Sequence, residues 1–440
     1  MQLLVYTQKI TPRIEYIFST LFKAIGVQKF QLTHDFVFYN KSQDFKLNYS
    51  SSFSTEDILW IEPVNLLFEN DVKEQKITVF TWNKTKAFFR TNNGDLPFDI
   101  FAASFYLITR YEEYLPHQTD VYGRYAHENS LAYKEDFLKV PLVNIWLQQL
   151  QNKLLQKFPS LQLFPADFRF LPTYDIDIAW SYLYKGWLRN LGGLLVSVTE
   201  SEWARANERI NVLFGKQKDP FDSYEWLDQL HEKNHLEPIY FFLLARQNKD
   251  YDKNILPSKP VMQRLVQKHS STYTVGIHPS WQSGNNTDLL EEEIQIFEKI
   301  TGGKVNKSRQ HYIRMHLPDT YKRLIEAGIA EDYSMGYGSI NGFRASWCLP
   351  YLWYDLQKEQ TTKLTIYPFC FMDANSYYEQ HATSEEALNE MNHYYHITKN
   401  VKGLFITIWH NHFLGTDTMF NGWKDAYQTA ISRISTSCKK

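Results

Sequence analysis

Two aspartates one residue apart, Asp175 and Asp177, close the run Phe168-Arg-Phe-Leu-Pro-Thr-Tyr. A second run, residues 273–277, stops at His278-Pro279-Ser280. The stretch Lys307-Ser-Arg-Gln-His-Tyr carries Arg309 and His311, and residues 404–409 stop at His410-Asn411-His412. These residue types suggest one kind of chemistry. One carboxylate with two neutral imidazoles is a donor set for zinc or a similar divalent transition metal, and it leaves positions free for water and substrate. Such a metal lowers the pKa of bound water and polarises a carbonyl. A second carboxylate can take the water's proton, and a further histidine can protonate a leaving amine. An arginine beside the basic aspartate would orient it and tune its pKa by charge. Taken singly, each residue has a plainer reading: an aspartate after a strand caps a turn, and a lone histidine is a satisfied structural group. The joint placement at the ends of apolar runs is what asks for a site.

The elements that must position them alternate. Residues 168–174, 238–244, 273–277, 308–313, 364–369 and 404–409 read as strands, and Asp332-Tyr-Ser334 ends another. Amphipathic stretches such as 224–234 and 288–300 lie between them. Strand–helix alternation over about 270 residues predicts a parallel α/β structure, a barrel or a doubly wound sheet, with the chemistry at the C-terminal ends of the strands. The N-terminal part, 1–160, reads differently. Short strands are expected at 3–6, 36–40, 58–61 and 77–80, and helices at 97–114, with Pro97 near its first turn, and at 140–158. Residues 159–167 read as a linker.

The chain has 440 residues, 43% of them hydrophobic and 22% charged, enough for a large core. Lys and Arg number 47 against 49 Asp and Glu, a net charge of −2, which argues against a protein built to grip nucleic acid. Three cysteines with no CxxC pair give neither a disulfide framework nor a zinc knuckle. The N-terminus does not read as a secretory signal, and no apolar run approaches the ~20 residues a bilayer needs, so a cytoplasmic location is expected. Aromatics reach 16%, as a ring-rich core or as stacking platforms for sugars. No GxxxxGK[ST] phosphate loop is present.

Thr173-Tyr-Asp-Ile-Asp177, Gly276-Ile-His278, Arg309 and Trp409-His410 resemble the ordered motifs of the NodB-homology polysaccharide deacetylases, carbohydrate esterase family 4. The resemblance covers roughly residues 166–420, and the first part is similar to an N-terminal domain of unknown function found in a bacterial branch of these enzymes. It implies a smaller α/β accessory domain, 1–160, before a distorted (β/α) barrel, 166–440. It also implies a hydrolase that removes N- or O-acetyl groups from a carbohydrate with a divalent metal, zinc in the first place, with cobalt, nickel or manganese as alternatives. Carried across by position, Asp175 is the general base, Asp177 the first metal ligand, His278 the second, Arg309 the holder of the base and His410 the general acid. The pattern departs in two places. Ile176 separates aspartates that are adjacent in the family, although i and i+2 share a face of an extended strand. Gln282 stands where the family has a second histidine, so His311, two residues after Arg309 and again on the same strand face, is expected to supply the third metal bond.

Arg344, Asp332, Asp373 and Trp409 are the further candidates for substrate contact. Arg344 can grip a carboxylate or phosphate in a bidentate contact or serve a structural salt bridge. Asp332 and Asp373 read as structural caps before they read as catalytic groups. His412 is the alternative acid to His410. His231-Glu-Lys-Asn-His235 spells HExxH, but the helix carrying it should stop before Pro238, which leaves a protease poorly supported. Asp175-Ile-Asp177 also matches the DxD string of glycosyltransferases, a rival that leaves the later histidines without a role. A carbohydrate-binding relative without catalysis is the third reading. Oligomeric state is not legible.

Overall fold

In a computed structural model, which describes residues 1–51, 55 and 57–438, the chain builds two main sheets and one small hairpin. The first sheet is parallel: β1 (Leu3–Thr7), β2 (Phe30–Thr33), β3 (Phe45–Tyr49) and β4 (Leu59–Trp60), ordered β2-β1-β3-β4. Helix Pro12–Ala24 connects β1 to β2. Thr11 caps it by accepting the Ile14 N–H, and Pro12 sits where a missing N–H costs nothing. Its apolar face, Ile14, Ile17, Phe18 and Leu21, is buried. The hairpin β5 (Phe80–Trp82) and β6 (Thr85–Ala87) follows.

Three expectations in this part are corrected. Residues 36–40 are not a strand: Asp35 accepts from the Val37 and Phe38 N–H groups and starts the helix Phe36–Lys41. Within 77–80, only Phe80 belongs to a strand. The 97–114 helix is shorter, Ile100–Ile108, because Asp99 rather than Pro97 caps it and Arg110 turns left-handed at φ 55° before a 3-10 turn, Tyr111–Tyr114. The second expected helix runs Leu142–Lys157.

The larger sheet holds β7 (Arg169–Ile176), β8 (Ile239–Leu243), β9 (Thr274–His278), β10 (Lys307–Ser308), β11 (Glu331–Asp332), β12 (Tyr351–Asp355), β13 (Gln360–Ile366), β14 (Phe371–Met372) and β15 (Leu404–His410). Their order is β12-β13-β11-β10-β9-β8-β7-β15-β14, parallel throughout except for β12 against β13. β8 is buried along its whole length, as expected of a parallel strand covered on both faces. The pairing leaves the sheet with two ends, β12 and β14. Residues 367–370 lead from β13, beside β11, to β14, beside β15. On the way the Tyr367 N–H donates to Asp332 O (2.8 Å), Phe369 to Met335 O (3.2 Å) and Cys370 to Ile406 O (3.4 Å).

The expected strand at 308–313 stops at Ser308, and that at 364–369 stops at Ile366. The N-terminal part and the remainder share one hydrophobic cluster reaching from Leu3 to Ile434. Buried polar contacts join them as well. Arg13 Nε donates to Glu359 (2.9 Å), and Arg344 Nη2 pairs with Glu113 (2.6 Å). Residues 439–440 of the expected 166–440 unit, and the Cys438 side chain, lie outside the described part. No helix among the described residues is long and apolar enough to cross a membrane.

Candidate active and metal-binding site

A cavity of about 350 Å³ opens at the C-terminal ends of β7, β9 and β15. Asp175, Asp177, His278, His311, His410 and His412 all line it. β7 and β15 run in register with His410 opposite Asp175, so the general-base and general-acid candidates leave neighbouring strands at one level. Asp177 lies just past the end of β7 and keeps 18% of its side chain exposed, against 2% for Asp175.

Three imidazoles turn Nε2 toward Asp177: His278 at 3.2 Å from Oδ1, His311 at 3.5 Å and His410 at 3.4 Å from Oδ2. Each is tethered through its other nitrogen. His278 Nδ1 donates to the Arg309 carbonyl (2.5 Å), His311 Nδ1 to Asp252 (2.9 Å) and His410 Nδ1 to Asp373 (2.6 Å). Metal-ligating histidines are held this way, because the second hydrogen bond fixes the tautomer and ring direction. One donor atom from each of Asp177, His278 and His311 lies within 4.8 Å of the other two. Asp177 Oδ1 is buried and has no aligned hydrogen-bond partner despite the nearby imidazole. A carboxylate oxygen without a donor, among nitrogens aimed at the same point, fits a small divalent cation.

The charged groups of the cluster shift one another's ionisation. Burial opposes ionisation of Asp177, but His311 and His278 hold it well below the usual carboxylate range. Burial pulls His311 down, yet Asp177 and Asp252 overrule it and raise it to about 9. Burial also lowers His410, and Asp373 with Asp177 pushes it well above the usual imidazole value. A cation held by His311 would need this imidazole neutral and so would compete with its proton. His412 differs: burial and the neighbouring His410 push it down to about 3, and its Nδ1 has no partner.

Asp175 is bound differently. Arg309 Nη1 donates to Asp175 Oδ1 (2.8 Å) and to Thr173 Oγ1 (2.7 Å), while its Nε donates to the Tyr333 carbonyl (3.0 Å). The guanidinium also lies over the Phe241 ring at 4.4 Å. Asp175 is thus tied to an arginine through Oδ1, with its Oδ2 3.8 Å from His278 Nε2, while Asp177 faces three imidazoles.

His311 reaches this site by a route other than the one expected. It does not share a strand face with Arg309. It opens a 3-10 turn, His311–Ile313, in which Tyr312 is left-handed at φ 58°. The turn directs it onto Asp252, a residue with no sequence signal beyond its type. Asp252 also accepts from the Trp281 N–H (2.9 Å) and from Gln282 Nε2 (3.0 Å). Gln282, the position that lacks the expected histidine, therefore braces the carboxylate that holds His311.

The four substrate-contact candidates do not line the cavity. Arg344 is buried and forked onto Glu113 through Nε (2.8 Å) and Nη2 (2.6 Å). Asp332 is buried and accepts from Ser308 and Ser334 (2.9 Å each). Trp409 packs on Tyr427 (4.4 Å between centroids), away from the opening. Asp373 is buried and holds His410. In their place the cavity takes Tyr122 and Arg124 from the N-terminal part, with Tyr251, Tyr312 and Tyr378. Arg124 Nη1 donates to the Tyr312 carbonyl (2.8 Å), which fixes that wall to the turn carrying His311. The HExxH string forms no metal site: His235 is the left-handed cap of its helix (φ 54°), and His231 Nε2 is hydrogen-bonded to the Tyr174 hydroxyl (2.7 Å).

Comparison with known proteins gives the following. A family model described as a family of unknown function, DUF7033, matches residues 3–159. No curated protein matches the chain. Similar solved structures include PuuE allantoinase, with 10% identity, 62% of this chain and 86% of that one covered, and a TM-score of 0.40. The polysaccharide deacetylase Bc1974 from Bacillus cereus has 10% identity, coverage of 61% and 88%, and a TM-score of 0.31. A mutant of BA3943, a CE4 family pseudoenzyme, has 9% identity, coverage of 64% and 69%, and a TM-score of 0.31.

Proposed function

We propose that the chain is a metal-dependent hydrolase that removes acetyl groups from a carbohydrate. In this reading residues 166–440 form a distorted (β/α) barrel, completed across the 367–370 segment, and residues 1–160 an accessory unit that lends it a wall. One observation carries the reading: three histidines, each tethered through Nδ1, aim Nε2 at Asp177 beside a carboxylate clamped by Arg309. The tyrosines of the cavity suit the apolar faces of sugar rings while offering hydroxyls to their polar edges.

Asp177, His278 and His311 would hold the ion, zinc first among the divalent candidates. When bound, it would polarise the acetyl carbonyl and sharpen water as a nucleophile. Asp175 takes the proton from the attacking water, and Arg309 pairs with this carboxylate and points it. His410, oriented by Asp373, gives a proton to the departing amine or alcohol as the bond to the acetyl carbon breaks and acetate leaves. His278 and His311 stay fixed by the Arg309 carbonyl and Asp252.

The test is acetate release by the purified full chain from acetylated chitooligosaccharides and acetylated xylan. The reaction should stop with a chelator and return with zinc, cobalt, nickel or manganese. A folded, metal-loaded protein that releases no acetate from either substrate class would sink the reading, as would release that survives Asp175→Asn.

A further inference from the structure

A two-helix excursion leaves the large sheet between β7 and β8: Trp187–Thr199 and Trp203–Leu213. Its polarity is inverted. The first helix buries Asn190 and Ser197, and leaves Trp187 (72%), Leu188 (66%) and Leu195 (58%) exposed. The second adds Trp203 (64%), and Phe214 just beyond it is 77% exposed. A surface helix of a water-bathed protein turns its apolar stripe inward. Here the first helix turns Asn190 and Ser197 inward, and the second turns in only Ala206 and Val212. Arg209 Nη1 donates to Asn190 Oδ1 (3.2 Å), Ser197 Oγ donates to the Gly193 carbonyl (3.0 Å), and a Cβ on Gly193 would meet the Arg209 guanidinium at 2.6 Å. Small residues at the seam with large apolar ones outside is how helices pair where the surroundings are lipid.

Charge selects the cover. Residues 184–218 carry six Lys and Arg against three Glu, net +3 in a chain of net −2. A second copy would set this positive segment against its own kind, whereas an anionic bilayer offers the opposite sign. Glu202 at the tip is partly offset by Arg205 at 3.3 Å. Thirteen residues rise only about 20 Å, too little to span a bilayer but enough to lie along its surface.

Both feet of the excursion are fixed to the candidate site. Asn411, between His410 and His412, donates through Nδ2 to the Ile178 carbonyl (3.1 Å) and the Phe221 carbonyl (2.9 Å). Asp219 accepts the N–H groups of Ser181, Tyr182 and Leu183 (2.8–3.0 Å). We propose that this helical pair is a peripheral anchor that lies in the headgroup region of an anionic membrane and holds the cavity at the membrane surface. The proposal stands apart from the deacetylase reading, since it needs neither the metal nor the reaction.

The experiment is co-sedimentation of the full chain with phosphatidylcholine vesicles, with and without phosphatidylglycerol. Binding is expected only with phosphatidylglycerol, and high salt should weaken it. Leu188→Glu/Leu195→Glu should abolish it. Arg189→Gln/Lys216→Gln should weaken it by about fivefold for each charge removed. Both variants change exposed positions and should keep the parent melting temperature, and Asp175→Asn should bind like the parent. No binding to phosphatidylglycerol vesicles would overturn the proposal, and so would binding that Leu188→Glu/Leu195→Glu leaves intact. A stable dimer that the same double substitution splits, with no vesicle binding, would overturn it in favour of a second copy.

Discussion

Asp175 and Asp177 stand one residue apart, and their surroundings divide the work between them. Asp175 is gripped by Arg309, and Asp177 faces three Nε2 atoms. In the proposed mechanism, replacing Asp175 by Asn keeps the shape and removes the base. Turnover should fall by about 10²–10⁴ with metal content unchanged, read from kcat and elemental analysis of the same preparation. Asp252 is bonded to His311 and, in the proposed site, would act on a bound ion only through it. Asp252→Asn should therefore lower metal affinity by about 10–100-fold, measured by competition with a chromogenic chelator. Parent-like affinity in that variant would show that His311 needs no such support.

Helix Thr287–Thr301 carries a second kind of consequence, for stability. Its Glu293 is buried against the loop after β9, where one carboxylate oxygen accepts the Ser280 N–H (3.0 Å) and the other has no partner. Burial pushes this carboxyl from 4.5 up to about 7. The folded protein thus keeps a proton that the unfolded chain has released. Stability should decline as pH rises from about 4.5 toward 7 and stay reduced above that, by roughly 3 kcal/mol at most. Glu293→Gln should flatten this dependence. Melting curves near pH 8 should show the variant more stable than the parent, and near pH 4 the difference should vanish.

Across the whole chain, the N-terminal part and the rest are joined by buried charge as well as by apolar packing. Burial works against ionisation of Glu113, but Arg344 and Arg110 hold it down at about 2. Glu113→Gln would leave the buried Arg344 guanidinium without its carboxylate, while Arg110 keeps Glu112 at 2.8 Å, and a loss of about 3–5 kcal/mol is expected in chemical denaturation. The same contacts bear on truncation. A fragment beginning at residue 161 would expose Arg344, the Leu352 carbonyl bonded by Tyr16 and the turn braced by Arg124. It should aggregate or lack a cooperative transition, and a sharp melt from that fragment would show that the later residues fold alone.

Much of this was legible along the chain. The runs ending at Asp175, His278 and His410 are largely apolar toward their C-terminal ends, and such runs become parallel strands, buried there, whose C-terminal ends gather at one rim. Local pattern therefore locates the reactive residues, because strand direction puts them on the same side whatever the loops do. Other features depend on partners distant in sequence. Arg344 could be a substrate grip or a structural ion pair until Glu113 is seen 231 positions away. His311 enters the site from a left-handed turn that no periodicity announces, and Asp252 and Asp373 gain their imidazole partners only when the turn after β10 and the end of β15 bring His311 and His410 to them. Residues 36–41 show the same limit within a single element, since a run of apolar side chains became a helix once Asp35 capped it. Periodicity and strand order are properties of the backbone's own geometry, whereas the partner of a buried charge is chosen only when the chain has closed around it.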